Sequence, residues 1–258
     1  MEITTIGLDL AKSVFQLHAV DAQGVVVWRK KLRRSVLVQE LAKVPPCLVG
    51  IEACATAHYW AREISALGHE VRLMPPAYVK PYLRRQKNDA ADAEAISGAV
   101  RRPTMRFVAT KSAERQAVLV LNRTRELLVR QRTMLINAIR AHCAEFGLVA
   151  AQGVGRVGDL LERAMQTGAA VLPDLAKAAM ALMAEQLASL EMQIQSLNRR
   201  LLAWHKQDAA SQRLATIPGV GVISGTELAV SVADSGQFRS GREFSASLGL
   251  VPRQNSGR

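Results

Sequence analysis

ITTIGLDLA, residues 3–11, is a short apolar run with a single acid, Asp9, inside it. A carboxylate in a stretch otherwise built for burial is costly unless it is paired or binds a metal. The run is therefore read as the first strand of a sheet and as a candidate place for chemistry. Val14–Val20 and Val25–Lys31 follow, separated by the turn residues Asp21, Gln23 and Gly24, and the three read as a meander. Val36–Lys43 reads as helical. Pro45 and Pro46 then break the chain, and Cys47–Ala53 (CLVGIEA) reads as a buried strand carrying a second unexpected acid, Glu52. Ala57–Leu67 is helical and ends at Gly68, a natural C-cap. Glu70–Met74 is a further strand, stopped by Pro75 and Pro76, and a helix starts near Asp89 and runs to about Val100. The order βββαβαβα predicts a mixed sheet with helices on its faces over residues 1–110.

Outside this region the chain changes character. Ser112-Ala-Glu-Arg is a helix start, and no Gly or Pro follows until Gly147, which predicts a helix of unusual length. A Gly-rich break at Gly153, Gly155 and Gly158 precedes a second long segment. There Met180, Met183, Leu187, Leu190, Ile194, Leu197, Leu201 and Trp204 recur in steps of three and four, a coiled-coil pattern. Residues 111–207 are thus expected to form an antiparallel helical hairpin or a dimer zipper. In residues 208–258, Ile217-Pro-Gly-Val-Gly-Val-Ile reads as a Gly-rich turn between helices, and Gln237–Leu248 as a helix. The chain ends in polar loop residues, which points to a C-terminal truncation.

Composition narrows the partners. The 258 residues are 49% hydrophobic and 22% charged, enough apolar content for a buried core. Lys and Arg number 34 against 22 Asp and Glu, a net charge of +12, which calls for a polyanionic partner. The longest stretch without a charged residue, Leu214–Thr226, has 13 residues, short of the roughly 20 that a spanning helix needs. The N-terminus is acidic and strand-like, unlike a signal peptide. Cys47, Cys54 and Cys143 form no CxxC pair, which fits a reducing cytosol and excludes a zinc site of that kind. Aromatic content of 4% argues against a surface built from stacked rings.

Three features could carry chemistry. The first is the acids: Asp9, Glu52 and the pair Asp89 and Asp92, which at i and i+3 share a helix face. Hard oxygen ligands at close quarters favour Mg²⁺ or Mn²⁺. As an alternative, Asp89 is a helix N-cap and Asp92 a first-turn acid. Asp21 and Glu94 read as solvated. The second feature is the run Arg115, Arg123, Arg125, Arg130, Arg132 and Arg140, opposed only by Glu114 and Glu126 between Ser112 and Arg140. A solvated helix mixes signs, so these arginines are candidates for phosphate contact. Arg84, Arg85 and Lys87 precede the paired acids, where a nucleic-acid backbone would pass, and Lys30, Lys31, Arg33 and Arg34 make a further cluster. The third is Gly219 and Gly221 in IPGVGVI, a helix-hairpin-helix pattern whose backbone N–H groups suit a DNA phosphate, although a tight turn in a core would look the same. The five histidines show no metal spacing and read as structural or solvated.

With these acids in place the chain resembles the DEDD insertion-sequence transposases, the bridge-RNA-guided recombinases. GLDLAK (7–12), IEAC (51–54), HYWAREI (58–64), GHEVRLMPPAYVKPY (68–82), KNDAADAEAI (87–96), RPTMRFV (102–108), ATIPGVGVISGTEL (215–228) and SGREFSASLGLVPRQNSG (240–257) carry the likeness over essentially the whole chain. It implies an α/β RNase H-like (RuvC-like) domain at 1–110, an α-helical coiled-coil region at 111–207, and a partial, mostly α-helical transposase domain at 208–258. It implies catalytic and metal-binding roles for Asp9, Glu52, Asp89 and Asp92, and a nucleophilic serine at Ser256 that forms a phosphoserine link to DNA. Family members often carry two serines before the following Gly, where this chain has Asn255-Ser256-Gly257. The implied partners are donor and target double-stranded DNA, a non-coding guide RNA that supplies sequence choice by pairing, and further copies of the chain in a dimer or tetramer. The implied location is the bacterial cytoplasm, acting at the nucleoid. Two other readings stand beside this one: a metal-dependent junction-resolving nuclease on the same fold, with water as nucleophile, and a nonenzymatic nucleic-acid-binding fragment.

Overall fold

The structure is a computed structural model and describes residues 2–82, 89–151, 153, 155–166, 172–232, 236 and 238–247, with the side chains of residues 89, 90 and 247 outside that description. The chain divides into two compact units, Met1–Ala113 with Val232–Arg258, and Glu114–Ser231.

The first unit is built on five strands: β1 (Thr5–Asp9), β2 (Val14–Val20), β3 (Val26–Arg33), β4 (Leu48–Glu52) and β5 (Glu70–Met74). Their order is β3-β2-β1-β4-β5. The first three pair antiparallel, and β1, β4 and β5 pair parallel. The short turn at 21–25 makes β2 and β3 a hairpin, whereas β4 and β5 each return through a helix, as parallel pairing requires. Asp21 departs from the solvated reading: it is 8% exposed and accepts the backbone N–H groups of Gln23 and Val25 at 3.0 and 2.8 Å, so it organises the turn. Glu94 is half-buried and pairs with Arg29 at 3.3 Å.

Helices α1 (Leu37–Leu41) and α2 (Ala57–Ser65) cover one face of the sheet, packing Leu37, Leu41, Trp60, Ala61 and Ile64 against Ile6, Leu8, Val49 and Ile51. The short α3 (Pro76–Val79) and then α4 (Asp89–Val100) follow, and α4 lies on the opposite face. A half-buried side chain of α2 holds the last segment of this region. His58 accepts the Lys111 backbone N–H at 3.2 Å. Burial, then the charges of Lys111 and Arg62, push His58 down to about 4. Between about pH 4 and 6.5 the unfolded chain therefore binds more protons than the folded one, so stability rises with pH in that window and is lost on acidification. His58→Asn is expected to flatten this part of the stability profile in urea denaturation at a series of pH values. His18, shifted the same way mainly by burial, leaves a residual slope.

The second unit contains α5 (Ala113–Ala144) from its second residue on, then α6 (Arg156–Met165), α7 (Asp174–His205), α8 (Ala209–Ala215) and α9 (Val222–Ser231). Helices α5 and α7 run antiparallel. Cys143 meets Met180 at one end, Arg125 bonds Asn198 in the middle, and Val118 clusters with Leu201 and with Val230 of α9 at the other end. Met180, Leu187, Leu190, Ile194 and Leu201 are buried within the single chain. The Gly-rich break is followed by a helix that the sequence pattern did not indicate. Helix α6 forms there because Val157, Leu160, Leu161 and Ala164 make one apolar face that packs with Ile136, Ile139 and Leu172. In the first unit a final helix, α10 (Gly241–Ser247), starts later than Gln237, and its Glu243 pairs with Arg106.

Candidate active site

Strand alternation decides which way the acids face. Ile6 and Leu8 of β1, and Val49 and Ile51 of β4, belong to the core under α1 and α2. Successive side chains point to opposite faces, so Gly7 and Asp9, with Gly50 and Glu52, belong to the α4 face. The parallel register pairs Gly7 with Gly50 and Leu8 with Ile51. Asp9 and Glu52 come next, each the last residue of its strand, on neighbouring strands about 4.8 Å apart. Both are half-buried.

The two glycines let α4 come close. A Cβ at Gly7 would stand 2.1 Å from the Ala93 carbonyl oxygen and 2.5 Å from Ser97 N, and one at Gly50 would stand 2.7 Å from Val100 Cβ. The facing side of α4 is correspondingly small or deeply buried: Ala93, Ser97, Ala99 and Val100 are each no more than 2% exposed. Direction follows from the other end of the helix. Arg101, just past α4, donates to the Ala22 carbonyl in the β2–β3 turn at 3.1 Å. That turn lies at the end of the sheet where β1 begins, because Thr5 pairs with Val20. Helix α4 therefore runs antiparallel to β1, and its first turn, with Asp89 and Asp92, lies at the end where Asp9 and Glu52 stand.

Asp92 Oδ1 is buried and has no hydrogen-bond partner among the described residues. A carboxylate oxygen in that state is expensive without a cation or donor, and a hard divalent cation matches it. Among the described residues no group of three His, Cys, Asp or Glu stands close enough to hold a metal ion. The side chain of Asp89 lies outside them, as do Arg84, Arg85, Lys87 and Ser256.

The family of the chain follows from its matches to known proteins. Residues 6–146 match the family model described as the IS110 DEDD transposase, and residues 211–257 match the model of the IS116/IS110/IS902 transposase family. A Pseudomonas aeruginosa relative described as a family 20 transposase is 48% identical over 257 residues, covering 99% of this chain and 76% of its own length. The chain belongs to the IS116/IS110/IS902 family of transposases. A Sinorhizobium fredii transposase relative is also 48% identical, and this chain spans 65% of its length. The transposase for insertion sequence element IS1328 of Yersinia enterocolitica is 39% identical over 98% of this chain and 75% of its own. T. thermophilus RuvC in complex with a Holliday junction substrate overlaps 38% of this chain and 90% of its own at 13% identity and a TM-score of 0.29, too low to carry an argument.

The structure divides the candidate nucleic-acid contacts of this family member. Arg123 and Arg130 are exposed on α5, Arg130 only 3.8 Å from Glu126. Arg125 is half-buried and bonds Asn198. Arg140 holds the following loop by donating to the carbonyls of Ala151 and Gly153 at 2.9 and 2.7 Å. Arg132 is half-buried, its Nε unpartnered. Gly219, with φ of +86°, makes the turn between α8 and α9, and both Gly219 and Gly221 are exposed. No helix of the described residues is long and apolar enough to cross a membrane. Sequence reasoning missed the Gly7 and Gly50 approach. Its signal was present as glycines on the acid-bearing side of both strands, facing an alanine-rich helix.

Proposed function

We propose that this chain is the DNA-cutting part of an insertion-sequence transposase, in which Asp9, Glu52, Asp89 and Asp92 hold Mg²⁺, or Mn²⁺ in its place. The observation that carries the reading is the meeting of Asp9, Glu52 and the first turn of α4 at one end of the sheet, with a buried, unpartnered Asp92 oxygen among them. The cation, when bound, would neutralise charge on the phosphodiester and favour attack at phosphorus. The chain's own carboxylates position that charge, and the closely packed α4 keeps their geometry fixed.

Residues 1–110 act in this reading as a RuvC-like, RNase H-like domain, 111–207 as a coiled-coil region that joins copies into a dimer or tetramer, and 208–258 as part of a serine-bearing domain. Ser256 is the nucleophile. Its Oγ forms the new bond to phosphorus and gives its proton to solvent, while the leaving sugar oxygen keeps the electron pair of the broken bond and is protonated. The phosphoserine link conserves the bond energy for rejoining. Guide RNA supplies sequence choice for donor and target DNA. Arg84, Arg85, Lys87, Arg123, Arg130 and Arg132, with the Gly219–Gly221 turn, contribute sequence-independent phosphate contacts, and Arg125 and Arg140, already bonded within their unit, add only their remaining donors.

The test uses a protein extended to the length of the relatives, incubated with DNA, guide RNA and Mg²⁺ and then denatured. A protein–DNA adduct that disappears in Ser256→Ala and persists in Ser247→Ala is the expected result. An adduct that survives Ser256→Ala refutes the nucleophile.

A further inference from the structure

A cleft of about 820 Å³ opens at the same end of the sheet as Asp9, beside the start of β2 and the end of β3. Its lining includes Lys12, Ser13, Arg33, Arg34, Tyr59 and Trp60, and no Asp or Glu among the described residues. Among the described residues none of Lys12, Arg33 and Arg34 forms an ion pair, although Lys30 and Lys43 nearby are both paired to Glu40. The Arg34 guanidinium sits 5.1 Å over the Trp60 ring and 5.9 Å over the Phe15 ring, an aromatic seat that positions it without neutralising it. Trp60 is 4% exposed, and its Nε1–H is buried with no acceptor among the described residues. Tyr59, 43% exposed, stands edge-on to Trp60 with ring centroids 5.0 Å apart, leaving much of its own surface open.

Unpaired cations and an open aromatic ring together fit a phosphodiester with one nucleotide against the ring. Val38, Tyr59 and Trp60 put the cleft on the α1–α2 side of the sheet, whereas Asp9 belongs to the α4 face, so a strand joining the two passes over the end of β1. Lys12 follows Asp9 by three residues, at most about 11 Å along the chain, a distance of only a few nucleotides at roughly 3.4 Å each.

We propose that this cleft grips the backbone of the DNA strand being processed, with Lys12, Arg33 and Arg34 on successive phosphates and Tyr59 against one base or sugar. The proposal rests on the reading of Asp9 and Glu52 given above and adds the path of the strand beside them. Its test is the salt dependence of binding of a fluorescein-labelled oligothymidylate to the full chain, measured by anisotropy without metal. Lys12→Gln/Arg33→Gln, both at exposed positions, is expected to weaken binding about tenfold and to lower the slope of log K against log salt by about 1.4, at 0.7 per lost single-strand contact. Tyr59→Ala, exposed as well, is expected to weaken binding with the slope unchanged, and iodouracil placed in the strand is expected to crosslink to Tyr59. Unchanged affinity and slope in Lys12→Gln/Arg33→Gln, or crosslinks confined to other segments, would overturn the cleft. So would preference for an oligouridylate over the DNA, which would make it an RNA site, or full displacement by millimolar inorganic phosphate, which would make it a simple anion site. Asp9→Asn separates the two ideas: it is expected to abolish Mg²⁺-dependent cleavage while keeping the oligothymidylate slope, so the failure of either proposal leaves a different signature.

Discussion

Gly7→Val is expected to destabilise the first unit by about 3 kcal/mol, at the upper end of what overpacking costs. The obstacle is backbone. The first atom of any side chain at this position would lie 2.1 Å from the Ala93 carbonyl oxygen and 2.5 Å from Ser97 N, and neither can rotate aside. Either α4 lifts away or β1 bends, and both separate Asp92 from Asp9. Against a typical total of 5–15 kcal/mol this is a large share. Gly98→Ala is the matched control, since a Cβ there meets nothing within 4 Å. It is expected to stabilise by about 0.5–1 kcal/mol through helix propensity. Urea denaturation of both variants checks the pair, and a Gly7→Val midpoint no lower than that of wild type would contradict the close approach.

The second large effect is on chemistry. Asp9→Asn and Glu52→Gln keep shape and remove charge. With a divalent cation shared between these carboxylates, each substitution takes away several kcal/mol of charge stabilisation, a loss of roughly 10³-fold in Mg²⁺-dependent strand cleavage. Glu94→Gln carries the same change on α4 at a residue paired with Arg29, and is expected to leave cleavage within a few-fold of wild type. Equal losses in all three would mean that general charge, and not the Asp9–Glu52 end of the sheet, controls the rate.

Much of this was readable in the sequence because the signals were local. The paired prolines at 45–46 and 75–76, the turn residues at 21–24 and the glycine at 68 punctuate the sheet region, and helix α4 falls at Asp89–Val100 as expected. The acids stood out because Asp9 and Glu52 interrupt apolar runs. What the sequence hid depended on partners distant along the chain. Helix α6 sits inside a segment rich in glycine and is held by Ile136 and Ile139 from another helix. Asp21 reads as a surface turn residue until its two backbone donors are seen. Arg125 and Arg140 look equivalent to Arg123 and Arg130, yet the first two have acceptors inside the unit. The cleft of Lys12, Arg33, Arg34 and Tyr59 draws on three separate segments that sheet pairing and the packing of α2 bring together.

Binding of Mn²⁺, followed by the loss of its free-ion electron paramagnetic resonance signal, tests the cation site without any need for turnover. Titration of wild type, Asp9→Asn and Asp92→Asn at matched protein concentration separates the carboxylate cluster from adventitious binding. The wild-type chain is expected to take up Mn²⁺ in a saturable step that weakens at least about tenfold in each variant, because each removes a charged ligand oxygen. Identical titration curves for the three proteins would contradict a shared site at the ends of β1 and β4 and leave the buried Asp92 oxygen without its cation.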